Sequence, residues 1–218
     1  MTDALVARLA RLDTCGVSDA MDRIGLSGAV QGLGPMWPCP RIAGTVITVR
    51  LRRAEPGEHS PRHLGTGAIE AGGPGTVIVI EHHDRADAAG WGGILSLAAK
   101  RKGVEGVIID GTCRDVDDSR DVGFPVYARA ATPMTARGRV VEASMGEPIR
   151  IGDLHVAQGD YVISDWSGAV FLPADRAEEV IAVAEGLAAR EAAMADDVRA
   201  GKSVVDVMGA SYESMLGR

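Results

Sequence analysis

The run that most constrains this chain is GWGGILSLAAKRKGVEGVIIDGTCRDVDD, residues 90–118. It opens on a glycine turn, continues as a helix over 94–102 that Gly103 closes as a C-cap, and enters the strand GVIIDG before a charged turn. A strand that is apolar on both faces needs cover on both, which is the habit of parallel strands packed with helices. The run therefore sets the fold class as α/β.

The rest of the chain supplies further elements of the same kind. Leu5, Leu9 and Leu12 recur at helical spacing, and a second amphipathic helix over 17–24 follows Thr14 as N-cap and ends at Gly25. Strands are expected at 42–51 (IAGTVITVRL) and 76–81 (TVIVIE), the second entered through the turn GGPG. Between them, residues 54–67 are rich in Pro, Gly, His and Arg without a period, and are expected to form an irregular loop that shapes a pocket. Shorter strands follow at 126–129, 138–143, 149–151 and 161–165, then AVFLP leads into a long helix over 174–199. No linker-like stretch interrupts residues 1–218, so a single domain is expected.

Composition excludes several functions. Thirty acidic against 23 basic residues give a formal charge of -7, a field that repels nucleic acid and is not drawn to an anionic membrane. Cys15, Cys39 and Cys113 are odd in number and form no CxxC pair, which argues against a disulfide framework or a zinc site and fits a reducing cytoplasm. No signal-peptide core and no run of eighteen apolar residues is present, so a cytoplasmic protein with neither a nucleic-acid nor a membrane partner is expected.

Preceded by WGGILSLAAKRKG, the segment GVIIDGTCRDVDD resembles the signature of the RraA-like family, and the likeness extends through GVSDAMDRIG, AGTVITVR, GPGTVIVIE, FPVYARAATP and VAQGDYVISDWSGAVFLP. The resemblance implies a layered α/β/α-type sandwich with N-terminal helices and a long C-terminal helix. It also implies a homotrimer or homohexamer with the active site between subunits. Its aldolase branch implies a pyruvyl lyase that needs Mg2+ or Mn2+, cleaves 4-hydroxy-4-methyl-2-oxoglutarate-type substrates and decarboxylates oxaloacetate. Its namesake branch implies the alternative, a regulator that binds an RNase E-like partner and performs no chemistry. A methyltransferase is set aside, because no GxGxG loop follows an early strand.

The chemistry of the motif is legible in the residues themselves. Arg114 offers a planar, permanently charged fork for a carboxylate, and Asp115 offers hard oxygen ligands for a divalent cation. Together they suit a small 2-oxo acid as substrate, whose carbonyl the cation polarises. Gly92, Gly93, Ile94 and Leu95 open a helix, where free N–H groups and the positive dipole end favour an anionic oxygen. The resemblance implies that Arg114 and Asp115 are catalytic, that Asp115 is the metal ligand, and that Glu191 reaches a neighbouring subunit's metal water shell. Asp110 is a candidate supporting residue behind them, or a cap for its own turn.

One departure stands out. Aldolase members carry an acid 21 positions before the motif arginine, where this chain has Gly93. The loss of a proton-handling group costs about 10²–10⁴ in rate, so weak activity is expected, with Gly93→Asp or Gly93→Glu raising it unless the glycine is needed for a positive φ. His59, His63 and the run Glu81, His82, His83, Asp84 are possible substitutes for that carboxylate. The two adjacent histidines do not form a zinc site, because neighbours on a strand face opposite sides. Asp19 and Asp22 share a helix face and are read as complementing its dipole.

Overall fold

The structure is a computed structural model that describes residues 4–209. The chain opens with α1 (Ala4–Leu9) and α2 (Thr14–Arg23), then the two-residue strands β1 (Ala29–Val30) and β2 (Gly34–Pro35) and the long β3 (Ile42–Arg53). After the irregular stretch come α3 (Thr66–Ala71), β4 (Thr76–Ala89), α4 (Gly93–Lys102), β5 (Gly106–Cys113), α5 (Val116–Asp121) and β6 (Val126–Ala131). The remainder is β7 (Val140–Met145), the hairpin β8 (Ile149–Ile151) and β9 (Leu154–Val156), β10 (Tyr161–Asp165), β11 (Gly168–Leu172), α6 (Ala177–Arg199) and α7 (Val204–Val207).

Nine strands make one mixed sheet in the order β1-β11-β10-β3-β4-β5-β6-β2, with β7 paired on β3. The centre is parallel: β3 on β4, β4 on β5 and β5 on β6, as the doubly apolar strand GVIIDG requires. The layering is α/β, as expected. Odd positions of β5, Val107 and Ile109, pack with Leu95 and Ala99 of α4, whereas Ile108 faces Ile149, Ile151 and Val156 of the β8–β9 hairpin. On the helical face, α3 and α4 cover the parallel strands, and α1, α2 and α6 cover β10 and β11 through Leu9, Met21, Ile181 and Leu187. No helix among the described residues is long and apolar enough to cross a membrane.

Several local expectations are corrected. Asp13, not Thr14, caps α2 by accepting the Gly16 N–H at 2.8 Å, while Thr14 gives its own N–H and hydroxyl to Asp165. Gly25 ends that helix at φ +73, as expected. The strand expected at 76–81 runs on to Ala89, but its register with β5 shifts twice past Glu81, which hides the continuation from any period-two pattern. The charged turn after Asp115 contains α5, too short for periodicity to show. Strand β7 begins two residues later than expected, and α6 begins at Ala177 rather than 174, after a turn in which Arg176 N–H meets Pro173 O.

Candidate active site

The parallel strands β4 and β5 end on the same side of the sheet, the side on which ligands of open α/β sheets bind. Their ends are tied there by the backbone: Gly90 N–H reaches Thr112 O at 2.8 Å, and Arg114 N–H reaches Trp91 O at 3.0 Å. The start of α4 is thereby fixed against the motif. Asp115 adopts φ 55, ψ 45, a left-handed conformation that Asp tolerates better than most residues. The turn aims its carboxylate back at α4, where Oδ2 accepts the Gly93 N–H at 3.1 Å. Arg114 Nε lies 3.1 and 3.2 Å from the two carboxylate oxygens of Asp115. The first helical bond of α4 runs from Ser96 N–H to Gly92 O, so the Ile94 and Leu95 N–H groups have no intrahelical acceptor.

A buried hydroxyl chain, invisible to motif reading, locks this end. Trp91 Nε1 donates to Ser96 Oγ at 2.9 Å, Ser96 Oγ lies 2.8 Å from Ser119 Oγ, and Ser119 Oγ donates to the Asp115 carbonyl at 3.2 Å. Trp91 also stacks on Phe124 at a centroid distance of 6.1 Å. The only signal in the sequence is small polar residues at buried helical positions, which motif logic passes over.

Both glycines at the turn are places of close approach. A Cβ on Gly92 would stand 2.9 Å from Asp115 Oδ2. At Gly93 it would stand 2.6 Å from Asp118 Oδ2 and 2.7 Å from Asp118 Cβ. The glycine is thus demanded by space and not by a positive φ, and the space that a side chain at 93 would enter is held by the carboxylate of Asp118 from α5. This changes the expectation that an acid is easily accommodated at position 93.

The site opens into a cleft of about 550 Å³ that brings Gly92, Gly93, Ile94, Leu95, Arg114 and Asp115 to one wall. Of these, Ile94 is 86% exposed and Leu95 is buried in the core, so these two residues offer backbone N–H groups rather than side chains. The rest of the lining is the irregular loop over 58–64 together with residues 135–138. It carries His59, Arg62, His63 and Arg137, which places both loop histidines in the cleft. Glu58, on the same loop, is drawn away by Arg52, whose two nitrogens lie 2.7 and 2.5 Å from its oxygens; this pairing holds the Glu58 carboxyl down at about 2.

Other candidates fall elsewhere. Asp110 shares the hairpin face with Ile108 and spends its oxygens on Arg129 Nε and Gly152 N–H, both at 2.7 Å, so it anchors the β8–β9 turn and does not support Arg114. Glu81 does likewise, accepting from Arg50 Nε at 2.8 Å and Arg150 N–H at 3.1 Å. His82 is fully buried with Nε2 2.7 Å from Ala88 O, and desolvation lowers its pKa; His83 is exposed. The Asp84 side chain lies outside the described residues. Asp19 and Asp22 stay on α2 away from the cleft walls, and Glu191 is exposed on α6 beyond Leu187, the last core residue of that helix. Cys113, beside Arg114, is buried and its thiol is pushed up to about 12, which makes it a packing residue.

Among the described residues no three His, Cys, Asp or Glu side chains gather as a metal cage. The carboxylate beside Arg114 that could hold a metal ion is Asp115, and water and substrate would complete the coordination shell. Hard cations of the Mg2+ type are held in this way, whereas zinc is held by several nitrogen or sulfur ligands.

Comparison with known proteins gives the family. A relative from Halalkalibacterium halodurans is 26% identical over 208 residues, covering 93% of this chain and 94% of its own. A Thermus thermophilus relative named 4-hydroxy-4-methyl-2-oxoglutarate aldolase is 28% identical over 133 residues, 61% of this chain and 76% of that one. Protein DlpA of Legionella pneumophila is 28% identical over 178 residues, but the match spans only 29% of DlpA's length against 81% of this chain. A crystal structure of an uncharacterized Pseudomonas syringae protein superposes with a TM-score of 0.85 at 26% identity, covering 94% of this chain and 97% of that one. The family model described as RraA-like, Aldolase/RraA, matches residues 14–171, and with the Arg114–Asp115 turn inside that span the chain belongs to the RraA-like family.

Proposed function

We propose that this protein is a divalent-metal-dependent pyruvyl lyase, acting by retro-aldol cleavage of 4-hydroxy-4-methyl-2-oxoglutarate-type substrates or by decarboxylation of oxaloacetate. The observation that carries the proposal is the turn in which Asp115 Oδ2 accepts the Gly93 N–H while Arg114 flanks the same carboxylate at the cleft. Arg114 binds the substrate carboxylate through its fork. The Ile94 and Leu95 N–H groups at the positive end of α4 face the anionic oxygen that develops next to it. Asp115 would hold Mg2+ or Mn2+, which supplies Lewis-acid polarisation of the 2-oxo group when bound. With glycine at 93, the carboxylate nearest that point is Asp118, and the reaction is expected to be slow.

The working form is proposed to be a homotrimer or homohexamer. The C-terminal half of α6 and α7 leaves Val198, Val204, Val205 and Met208 exposed, an apolar edge that a second copy would cover, and Glu191, exposed on α6, would be the carboxylate offered to a neighbour's cleft. Light scattering at micromolar concentration that returned a monomer would end this part of the proposal. The function itself is tested by a coupled assay of pyruvate release from both substrates with and without MgCl2. Metal-dependent release is expected; none with either substrate would leave the regulatory reading instead.

A further inference from the structure

We infer that His82 is a positioning residue: from behind the cleft its ring clasps the Ala88 carbonyl and so sets where the turn of Gly92 and Gly93 meets Arg114 and Asp115. The consequence for turnover rests on the lyase reading, whereas the positioning itself stands on the geometry of β4. From Glu81, paired with Asp110, to Ala89, paired with Thr112, β4 advances eight residues while β5 advances two. The surplus bulges out between His82 and Ala88, with His83 in the left-handed region at φ 52, and must return in register for Ala89 to lead into the site.

That return is held at one atom. The Ala88 carbonyl accepts from His82 Nε2 at 2.7 Å and from Thr112 Oγ1 at 2.9 Å. The residues that follow are bonded in turn: Ala89 N–H to Met134 O at 3.1 Å, Gly90 N–H to Thr112 O at 2.8 Å, and Trp91 O to the Arg114 N–H at 3.0 Å. The ring is fully buried against two glycines, since a Cβ on Gly90 or on Gly111 would stand 3.2 or 2.7 Å from His82 Cδ2. A carbonyl only accepts, so Nε2 carries the proton and Nδ1 is the bare acceptor; among the described residues nothing meets it. An apolar side chain would fill this space without leaving an orphan acceptor, so what the imidazole adds is the bond to Ala88.

The clasp has a signature in pH. A second proton would put an N–H at Nδ1 where no acceptor waits, and burial pulls the ring's pKa below its ordinary 6.5. The charged groups that the ring feels are Arg85, Asp87 and His83, all on the bulge of β4; β5 meets it with Gly111, and Leu51 of β3 lies with it against Gly90, neither of which titrates. With the folded pKa depressed, the clasp is fully held above about pH 6.5 and loosens as pH falls from there.

The test is amide hydrogen exchange of the full protein, read by mass spectrometry over residues 89–93 and 111–115, with β10 and β11 as the remote reference. His82→Leu, which removes the donor and keeps the bulk, is expected to exchange about tenfold faster in the two site segments, the worth of one buried hydrogen bond, and as wild type in the reference. His82→Gln, whose amide nitrogen reaches the place of Nε2, is expected to recover wild-type exchange. Between about pH 7.5 and 5.5 the protection of the site segments in wild type should fall by up to about tenfold relative to His82→Gln, which does not titrate there and keeps His83 in common. This second comparison decides the matter even where His82→Leu does not fold. Site segments of His82→Leu that exchange as in wild type, faster exchange that spreads equally to β10 and β11, or a wild-type pH profile that matches His82→Gln overturns the positioning. In MgCl2, kcat for pyruvate release should fall in His82→Leu at constant KM and recover in His82→Gln. Wild type that releases no pyruvate fails the lyase reading alone, and the exchange result still decides the clasp.

Discussion

The two walls of the cleft are built on opposite terms. The wall that carries Arg114 and Asp115 is made of strand ends and a helix start, locked by the Trp91, Ser96 and Ser119 chain in the interior. The wall made by residues 58–64 and 135–138 is loop, and the ion pair that ties it, Arg52 with Glu58, stands in solvent. Buried hydrogen bonds in a low dielectric hold a geometry to a few tenths of an ångström, whereas exposed ion pairs contribute little and are screened by salt. Reacting groups need the first kind of support and adaptable recognition tolerates the second, so on the proposed lyase reading chemistry belongs to one wall and selection to the other. Substitutions on the first wall should change kcat, and on the second KM.

The largest effect is expected at the motif itself. Asp115→Ala removes the carboxylate proposed as metal ligand, and Lewis-acid stabilisation of several kcal/mol corresponds to about 10³-fold in kcat. Arg114→Lys should follow at about 10²-fold, because an ammonium does not reproduce the fork. Steady-state kinetics at saturating MgCl2 check both. An Asp115→Ala enzyme with unchanged metal-dependent turnover would remove this wall from the chemistry.

Next comes the crowded glycine. Gly93→Glu drives a Cβ to 2.6 Å from Asp118 Oδ2 and 2.7 Å from its Cβ, and the second contact is too near the backbone of α5 to relax by rotamer change alone. The single variant should lose about 1–3 kcal/mol of stability, the usual range for overpacking. Gly93→Glu combined with Asp118→Gly frees the space, and should recover part of that loss and raise pyruvate release above wild type. Thermal melts of both variants decide the steric argument, and a single variant as stable as wild type would refute it.

A smaller effect is expected from Ser119→Ala, which leaves the Asp115 carbonyl and Ser96 Oγ short of a partner in the interior. The cost is about 1–2 kcal/mol of stability, with a fall in kcat at constant KM if the chain fixes the left-handed turn. A change confined to KM would place Ser119 with the selective wall and undo the comparison.

What was legible in the sequence divides along the same line. GVIIDG declared a parallel strand because its apolar residues do not alternate, and the Arg114–Asp115 pair followed at the strand end, where a backbone turn exposes both. The continuation of β4 to Ala89 was hidden because its bulges destroy the period that strands are read by. Asp110 looked like support for the pair, yet side-chain alternation turns it to the hairpin face, and no local signal says that Arg129 and Gly152 wait there. Asp118 was one more charge in an acidic turn until α5 carried it across to Gly93. The pocket-shaping loop was placed correctly by its composition, but which of its charges pair and which stay open depends on Arg52, fixed only by the fold.

The smallest effect tests the far wall. Glu58 is held at about 2 by its bonds to Arg52, against an ordinary 4.5, so its folded pKa is depressed. The ordering it gives the loop is then fully present above about pH 4.5 and is lost as pH falls from there through about 2, while Arg52 stays charged throughout. Glu58→Gln abolishes the ion pair at every pH. Its side chain is partly exposed and the ion pair is open to solvent screening, so the expected change is modest: KM for a dicarboxylate substrate rises roughly twofold at neutral pH, with kcat untouched. Folded wild type, which keeps the Glu58 carboxylate charged down to about 2, should show the same rise only as pH approaches that value, and 0.5 M salt should narrow the gap between the two proteins at neutral pH. KM profiles of both proteins against pH and salt measure this directly. If Glu58→Gln instead lowers kcat as Ser119→Ala is expected to do, the loop holds the reacting groups as well, and the separation of the two walls fails.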